Sequence, residues 1–485
     1  MLVPVLRRLA LIRLLAIILG LIALLMIPSF VLALALQETA MSRAFLVPFA
    51  IALVLVLPAA FFIRRAPFAL NPRDGFLLVF LTWVFSSLLG SLPYFFGAGL
   101  SFTDAVFESA CGFATTGSTT IADIEALPHS LVLWRSVSYW AGGMGIILLT
   151  VALMPLLGVG GFQLVKAETP GPEKEKLTPR VTAAAKILWG AYCIFTTLLI
   201  ILYRAGGMNW LDSVCHGLAV IASGGVSTRN AGFAYFDSPF IDGVTTVFML
   251  LAALNFNVYY RIAKGKFRDI AANTESRAYF IIFFAAALII TLSLVPEYGS
   301  FGKAWRYGAF QAASIISTTG TVRTDYTAWP ALAQGVLFCL MFTGGCSNST
   351  AGGIKIIRHA VLWKQAGNEI RRILYPQGVF SIHLNKKLGR KDVVYGVAGF
   401  VFLYLATVGV AALVTSVAGY DIFSSFSAAL SVTGNIGAGF GAIGPGRNFS
   451  DFPAWLKWFY SLVMIAGRLE LWTVFVLFTP EYWRK

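Results

Sequence analysis

Charge is scarce in this chain. Only 12% of its 485 residues are Asp, Glu, Lys or Arg, and acidic side chains are the rarer kind, 22 against 37 basic. With 58% hydrophobic residues and a mean hydropathy of +0.77, there is too little polar surface to cover a water-soluble globule. Histidine is nearly missing: His129, His216, His359 and His383 are scattered without HExxH-like spacing, which argues against an intramembrane metalloenzyme. The five cysteines, Cys111, Cys193, Cys215, Cys339 and Cys346, lack metal-ligand spacing and lie in or beside apolar segments, as buried thiols do. No glycine loop sits between a strand and a helix to cradle a phosphate, so nucleotide control would require a partner.

What the chain has is long apolar runs. Segments able to cross about 30 Å of hydrocarbon fall at 14–36, 44–63, 75–96, 131–157, 186–203, 239–260, 278–296, 329–343, 393–417 and 454–478, giving ten expected spans in an integral protein of the lipid bilayer. If the N-terminus is cytoplasmic, 27 of the 37 basic residues fall on the cytoplasmic side, so both termini are expected inside. The net charge of +15 then reads as a topology signal. The alternative, a patch for nucleic acid or anionic lipid, fits less well because the charge is spread over every inner loop, and no nucleic-acid partner is expected. Arg7 and Arg8 ahead of an apolar run resemble a signal peptide, but that run is too long and reads as a retained helix.

Four small, hydroxyl- and glycine-rich stretches interrupt the apolar pattern: FATTGSTT at 113–120, ASGGVSTR at 222–229, ISTTGTVR at 316–323 and VTGNIGAG at 432–439. Each follows a short amphipathic run between two long apolar segments. Gly117, Gly225, Gly320 and Gly437 are spaced 108, 95 and 117 residues apart, so a unit of this size recurs four times. The expected fold is an all-α polytopic membrane protein with four re-entrant pore segments in pseudo-fourfold array about one pore. It divides into an N-terminal two-helix hairpin (1–70, joined by a loop from Gln37 to Arg43) and repeats at 74–165, 180–270, 277–365 and 391–485. Such a plan suits a cation pore, because backbone carbonyls of an extended segment can replace an ion's water where small residues let four segments meet. The short helices would aim their carbonyl ends at the axis and favour a cation. Non-helical backbone at that depth must line a cavity or pack inside protein, and a purely structural scaffold would leave it unexplained. Asp104, Asp212 and Asp421 are expected to cap three of the short helices, with Gly302 and Lys303 a departure in the third. Phe107, Phe310 and Phe426 recur ahead of the glycines and are expected to pack the short helices against their flanking spans.

The repeats differ below the glycines. Residues 344–353, Gly344, Gly345, Cys346, Ser347, Asn348, Ser349, Thr350, Ala351, Gly352 and Gly353, break the eighth span and predict a flexible loop inside the membrane, beneath the third glycine stretch. It reads as a gate; a kink for close packing is the alternative. Arg468 lies within the last span, and Glu470, two residues on, points to another face and is a poor partner for it. Arg468 therefore faces the pore or an inner cavity, or pairs with an acid on another helix.

These residues resemble the Trk/Ktr/HKT superfamily of potassium transporters, most closely its bacterial TrkH type. The resemblance covers nearly the whole chain. It is carried by YWAGGMGIILLTVALMPLLGVGGFQLVKAETPGP at 139–172, KLTPR at 176–180, FTGGCSNSTAGGIKIIRH at 342–359, GNIGAGFGAIGP at 434–445 and AGRLELWTVFVLFTPEYW at 466–483, and by the extra hairpin. It implies potassium as the ion carried, with no covalently bound cofactor, and a filter comprising Thr115, Thr116 and Gly117; Ser223, Gly224 and Gly225; Thr318, Thr319 and Gly320; and Asn435, Ile436 and Gly437. Gly117 stands where the sodium-passing plant branch has serine. Gly434 stays open as an alternative to Gly437, since the fourth repeat reads as one residue longer, and Ala438 replaces a frequent proline. The resemblance further assigns 344–353 to a gating loop and Arg468 to the path below the filter. It implies a homodimer in a bacterial inner (plasma) membrane, on a cytosolic ring of nucleotide-binding regulator subunits. Candidate docking loops run from Gln163 to Arg180, Lys264 to Asn273 and Lys355 to Lys391. Uptake would run down the electrochemical gradient; symport with protons or sodium is the other reading, weakly supported because few deep acids beyond Glu470 and Glu108 are present.

Overall fold

The computed structural model describes residues 2–62, 72–145, 181–265, 273–385, 387–388 and 391–484. Apolar residues too numerous for one face of a helix produce helices that are apolar all round, and six described helices are long and apolar enough to cross a membrane: Arg8–Ala35, Thr39–Ala59, Arg73–Ala98, Ile187–Ala205, Thr274–Tyr298 and Val393–Val417. Large apolar side chains such as Val54, Ile281, Phe402 and Leu413 stand exposed on them, while Ser86, Thr291 and Thr415 are buried, the inversion expected of a molecule whose solvent is lipid. Helical structure accounts for the ordered elements apart from one two-residue antiparallel pairing, His383–Leu384 with Lys387–Leu388.

The remaining expected spans depart from continuous helices. The fourth begins as His129–Gly143, and its second half, like the segment 146–180 with its motifs and first docking loop, lies outside the described residues. The sixth is two helices, Pro239–Ala252 and Phe256–Ala263, and the eighth ends at Leu340 after ten residues. The tenth is bent by 111° between Ala454–Arg468 and Trp472–Phe478. The break of the eighth span was expected from its small and polar residues 344–353; those of the sixth and tenth were not, although polar residues mark them, Asn255 in the one and Arg468 and Glu470 in the other.

The hairpin turn is tighter than expected. Ile27–Ala35 gives way to Thr39–Phe62 through three residues, with Gln37 at φ 57°. This places Glu38 over the start of His129–Gly143, whose own N-cap, Pro128, offers no side-chain acceptor. The Glu38 carboxylate accepts from His129 N–H (2.9 Å) and Ser130 N–H (3.2 Å), capping that helix from a distant part of the chain.

Four short helices, Phe102–Ala114, Trp210–Ile221, Phe301–Ile316 and Ile422–Thr433, precede the glycine stretches. Their caps correct the sequence reading. Ser101, Asn209 and Ser300 cap the first three, each accepting from the amide three residues on (Asp104, Asp212, Lys303), and only in the fourth is the acid, Asp421, itself the cap. Lys303 is thus no departure, since Ser300 does the capping. Counted from the true caps, Gly117, Gly225 and Gly437 all lie 16 residues downstream, so the fourth stretch is not longer; the third helix exceeds the others by about one turn. The recurring phenylalanines reach further than their own flanking spans: Phe107 meets Phe449 (5.4 Å), Phe310 meets Phe233 (5.7 Å) and Phe426 meets Phe338 (6.2 Å). Of the cysteines, Cys111, Cys215 and Cys346 are buried as expected, whereas Cys193 and Cys339 are exposed.

Candidate functional site: four glycines around one axis

Each short helix ends the same way. Thr115, Ser223, Thr318 and Asn435 adopt φ of 52°, 55°, 53° and 52°, and the next residue's N–H reaches back to the carbonyl five positions earlier: Thr116 to Cys111, Gly224 to Ala219, Thr319 to Ser314 and Ile436 to Ser431. Left-handed backbone costs a non-glycine residue about 1–2 kcal/mol. Here the side chains find partners: Ser223 Oγ meets Thr350 Oγ1 (2.8 Å), Thr318 Oγ1 accepts from Gly352 N–H (2.7 Å), and Asn435 Nδ2 donates to Thr116 Oγ1 (2.9 Å) and to the Met464 carbonyl (3.0 Å).

Two residues later the chain turns at Gly117, Gly225, Gly320 and Gly437, with φ of 81°, 62°, 70° and 83°. Gly434 has right-handed φ (−81°), so Gly437 is the equivalent of the other three. A Cβ at Gly117 would stand 2.7 Å from the Gly224 carbonyl oxygen. At Gly225 it would run into the Thr319 carbonyl, at Gly320 into that of Ile436, and at Gly437 into that of Thr116. The approaches close a ring, first stretch to second, second to third, third to fourth and fourth to first, each through the carbonyl of the residue before a glycine. Both φ and space therefore favour glycine at all four places, least strictly at Gly117.

Behind this ring are charged and polar props whose partners the sequence did not reveal. Glu108, fully buried, accepts from Thr119 Oγ1 (2.6 Å) and Thr120 N–H (2.5 Å) and faces Arg135 (3.3 Å), itself only 2% exposed. Arg135 also donates to the Ser227 carbonyl (3.4 Å), joining the first stretch to the second. His216 occupies the place of Glu108 in the second short helix and meets Ser227 Oγ (2.9 Å). Asp242 accepts from Arg306 (2.6 Å) and Arg323 (2.9 Å), and Asp104 from Lys457 (2.7 Å). In the loops that follow the first two glycines, Asn230 bonds Asp123 (2.7 Å) and, with the Ala126 and Glu125 amides, holds that carboxyl below its ordinary range. One signal could have found Glu108 and His216: both lie nine residues before their glycine.

Beneath the ring lies the segment 344–353. It is non-helical as expected, but buried and bonded more than a flexible, water-filled loop would be. Cys346 N–H donates to the Ala253 carbonyl (2.8 Å), Ser347 N–H to Glu275 (2.6 Å) and Gly344 N–H to the Ile354 carbonyl (2.8 Å); of its ten residues only Asn348 is exposed. Arg468 grips it from the side, donating to the carbonyls of Thr350 (2.6 Å), Gly142 (2.9 Å) and Gly143 (2.5 Å). Glu470, expected to be a poor partner for Arg468, pairs with Arg358.

An all-helical membrane protein in which four glycine turns close on one another around an axis, above a buried loop, belongs with ion-transport folds. The comparisons give the family: a family model described as a cation transport protein, TrkH, matches residues 41–485, and the chain belongs to the TrkH family. It is 36% identical over 484 residues to the Trk system potassium uptake protein TrkH of Halomonas elongata, covering 98% of both chains. It is likewise 36% identical to TrkH of Escherichia coli K12, over 92% of each. Among solved structures, the crystal structure of the potassium transporter TrkH from Vibrio parahaemolyticus matches with a TM-score of 0.86 at 33% identity, covering 98% of this chain and 99% of that one.

Proposed function

We propose that this chain is a potassium uptake subunit in which the four glycine stretches form a selectivity filter and the loop 344–353 gates the path beneath it. The ring of glycine-to-carbonyl approaches carries the reading, because such a ring brings four sets of backbone oxygens to one axis with no side chain between them. An entering ion exchanges its water for these carbonyls, and the carbonyl ends of the four short helices add negative potential. Below, Thr350, Gly352 and Arg468 stand across its route, tied to the filter's base through Ser223 and Thr318. Conduction requires this loop to leave. The half-buried guanidinium disfavours an ion resting there while the loop is in place.

With both termini cytoplasmic in a bacterial inner membrane, an inside-negative potential of about 100 mV gives each ion about 2.3 kcal/mol on entering, so uptake needs no hydrolysis. The chain works in this reading as a homodimer, and control reaches the loop from a cytosolic nucleotide-binding ring through the basic helix Ile356–Leu374 that continues it. The relatives' naming as a Trk system supports a multi-part assembly.

The test is ion flux into vesicles holding the purified chain, with potassium, rubidium, sodium and a proton-sensitive dye. Potassium and rubidium should enter far faster than sodium, without proton movement. Equal sodium and potassium entry refutes the filter; obligatory proton movement replaces passive flow by symport.

A further inference from the structure

We propose that Arg358 and Glu470 are positioning residues for transport: they latch Arg468 against the loop 344–353, and their separation is what frees the loop. This rests on the reading of that loop as the gate.

The argument begins with the backbone of the last span. Its two halves meet at 111°, with only Leu469, Glu470 and Leu471 between them. Glu470 has φ 58°, and Leu471 has φ 48° with ψ −52°, while Trp472 N–H bonds the Glu470 carbonyl across it. This is a three-residue turn of the strained hand, centred on a bulky leucine rather than glycine. The bend residues Leu469, Glu470 and Leu471 include no glycine or proline, and the nearest glycine, Gly467, lies within the preceding helix. A strained bend persists only where surrounding contacts over-determine it.

Two contacts do so. The Leu471 side chain is buried, and the Glu470 carboxylate is held by the Arg358 guanidinium, which also lies 3.6 Å over the Phe400 ring. Arg358 is in the first turn of Ile356–Leu374, directly after the loop, and Lys355 at the head of that helix bonds the Ala351 carbonyl inside the loop. Arg468, the last residue of Ala454–Arg468, holds the Thr350 carbonyl one residue away. The loop is thus gripped from both sides by cations, and the pair Arg358–Glu470 ties the two grips together. Glu470, with Glu275 on the side of Lys355, also offsets this cluster of Lys355, Arg358 and Arg468, so losing its charge adds repulsion to lost tethering. Any displacement of the helix Ile356–Leu374 strains this pair together with the loop that the helix continues.

The experiment is rubidium uptake into vesicles holding the full chain, set against a control in which residues 347–350 are trimmed. Glu470→Gln, nearly isosteric, should raise resting uptake by about tenfold, a shift typical of one lost contact between two states, with the rubidium-to-sodium ratio unchanged. Arg358→Gln should do the same, and the exchanged pair R358E/E470R should return uptake toward the parent. Leu471→Gly relieves the turn without touching either charge and should leave uptake at or below the parent. If the trimmed control speeds uptake but Glu470→Gln does not, or if the exchanged pair stays as fast as the single variants, the latch is refuted. If the trimmed control is itself no faster, the gate reading fails and takes the latch with it. Should Arg358→Gln be lost to misfolding, Glu470→Gln and Leu471→Gly decide the matter, with size-exclusion profiles matched to the parent.

Discussion

A side chain at one of the four ring glycines must fit against a neighbour's backbone, which cannot rotate away. The space is not equal: it is largest at Gly117, then falls through Gly437 and Gly225 to Gly320. Substitution should therefore be graded. Gly320→Ala and Gly225→Ala should abolish potassium flux and lower the melting temperature of the purified protein, whereas Gly117→Ser should still conduct but discriminate less against sodium. Rubidium and sodium uptake on matched amounts of protein measures this, and four equal effects would count against the ring. These glycines were legible in the sequence because glycine itself recurs at repeat spacing. The left-handed residues two places earlier were named as filter members, but not as loop anchors. Thr115, Ser223, Thr318 and Asn435 share only a short polar side chain, and the contacts of Ser223 and Thr318 are to residues 127 and 34 positions away. Thr318→Val, which removes the acceptor for Gly352 N–H while keeping shape, should raise resting flux and leave selectivity alone.

At the scale of elements, the long helices were readable because hydropathy is local, and so was the break at 344–353, where small and polar residues stand together; the bends of the sixth and tenth spans were not, because tertiary contacts hold them. The same holds for the buried ion pairs. Glu108 and Arg135 are 27 positions apart on different helices, and nothing in either segment announces the other. Such a pair is costly to break and cheaper to remove whole: deleting one partner costs about 3–5 kcal/mol, while replacing both with apolar residues of similar size is often close to neutral. Glu108→Gln and Arg135→Met should each lower the melting temperature strongly, and the double substitution Glu108→Leu, Arg135→Met should recover much of it. The double variant should nonetheless discriminate poorly between potassium and sodium, because Glu108 also fixes Thr119 and Thr120, and Arg135 the Ser227 carbonyl, on the segments leaving the first and second glycines. Recovery of stability together with full selectivity would make the pair merely structural.

For the molecule as a whole, the question is what drives the ion. Among the described residues, the inner acids that a coupled transporter could use to carry protons are engaged: Glu108 with Arg135 and two threonines, Glu470 with Arg358, and Glu275 with the Ser347 N–H. In the passive reading proposed above, cycling protons through any of them would first have to break these contacts. Passive flow makes a quantitative demand instead. In vesicles with a potassium gradient and no other permeability, uptake should stop when the potential balances the gradient, and should reverse when an imposed potential exceeds that balance. Adding a protonophore at clamped potential should change neither the rate nor the end point. If the end point shifts with an imposed pH difference while the potential is held, potassium is being moved by protons, and the paired carboxylates become the first residues to substitute.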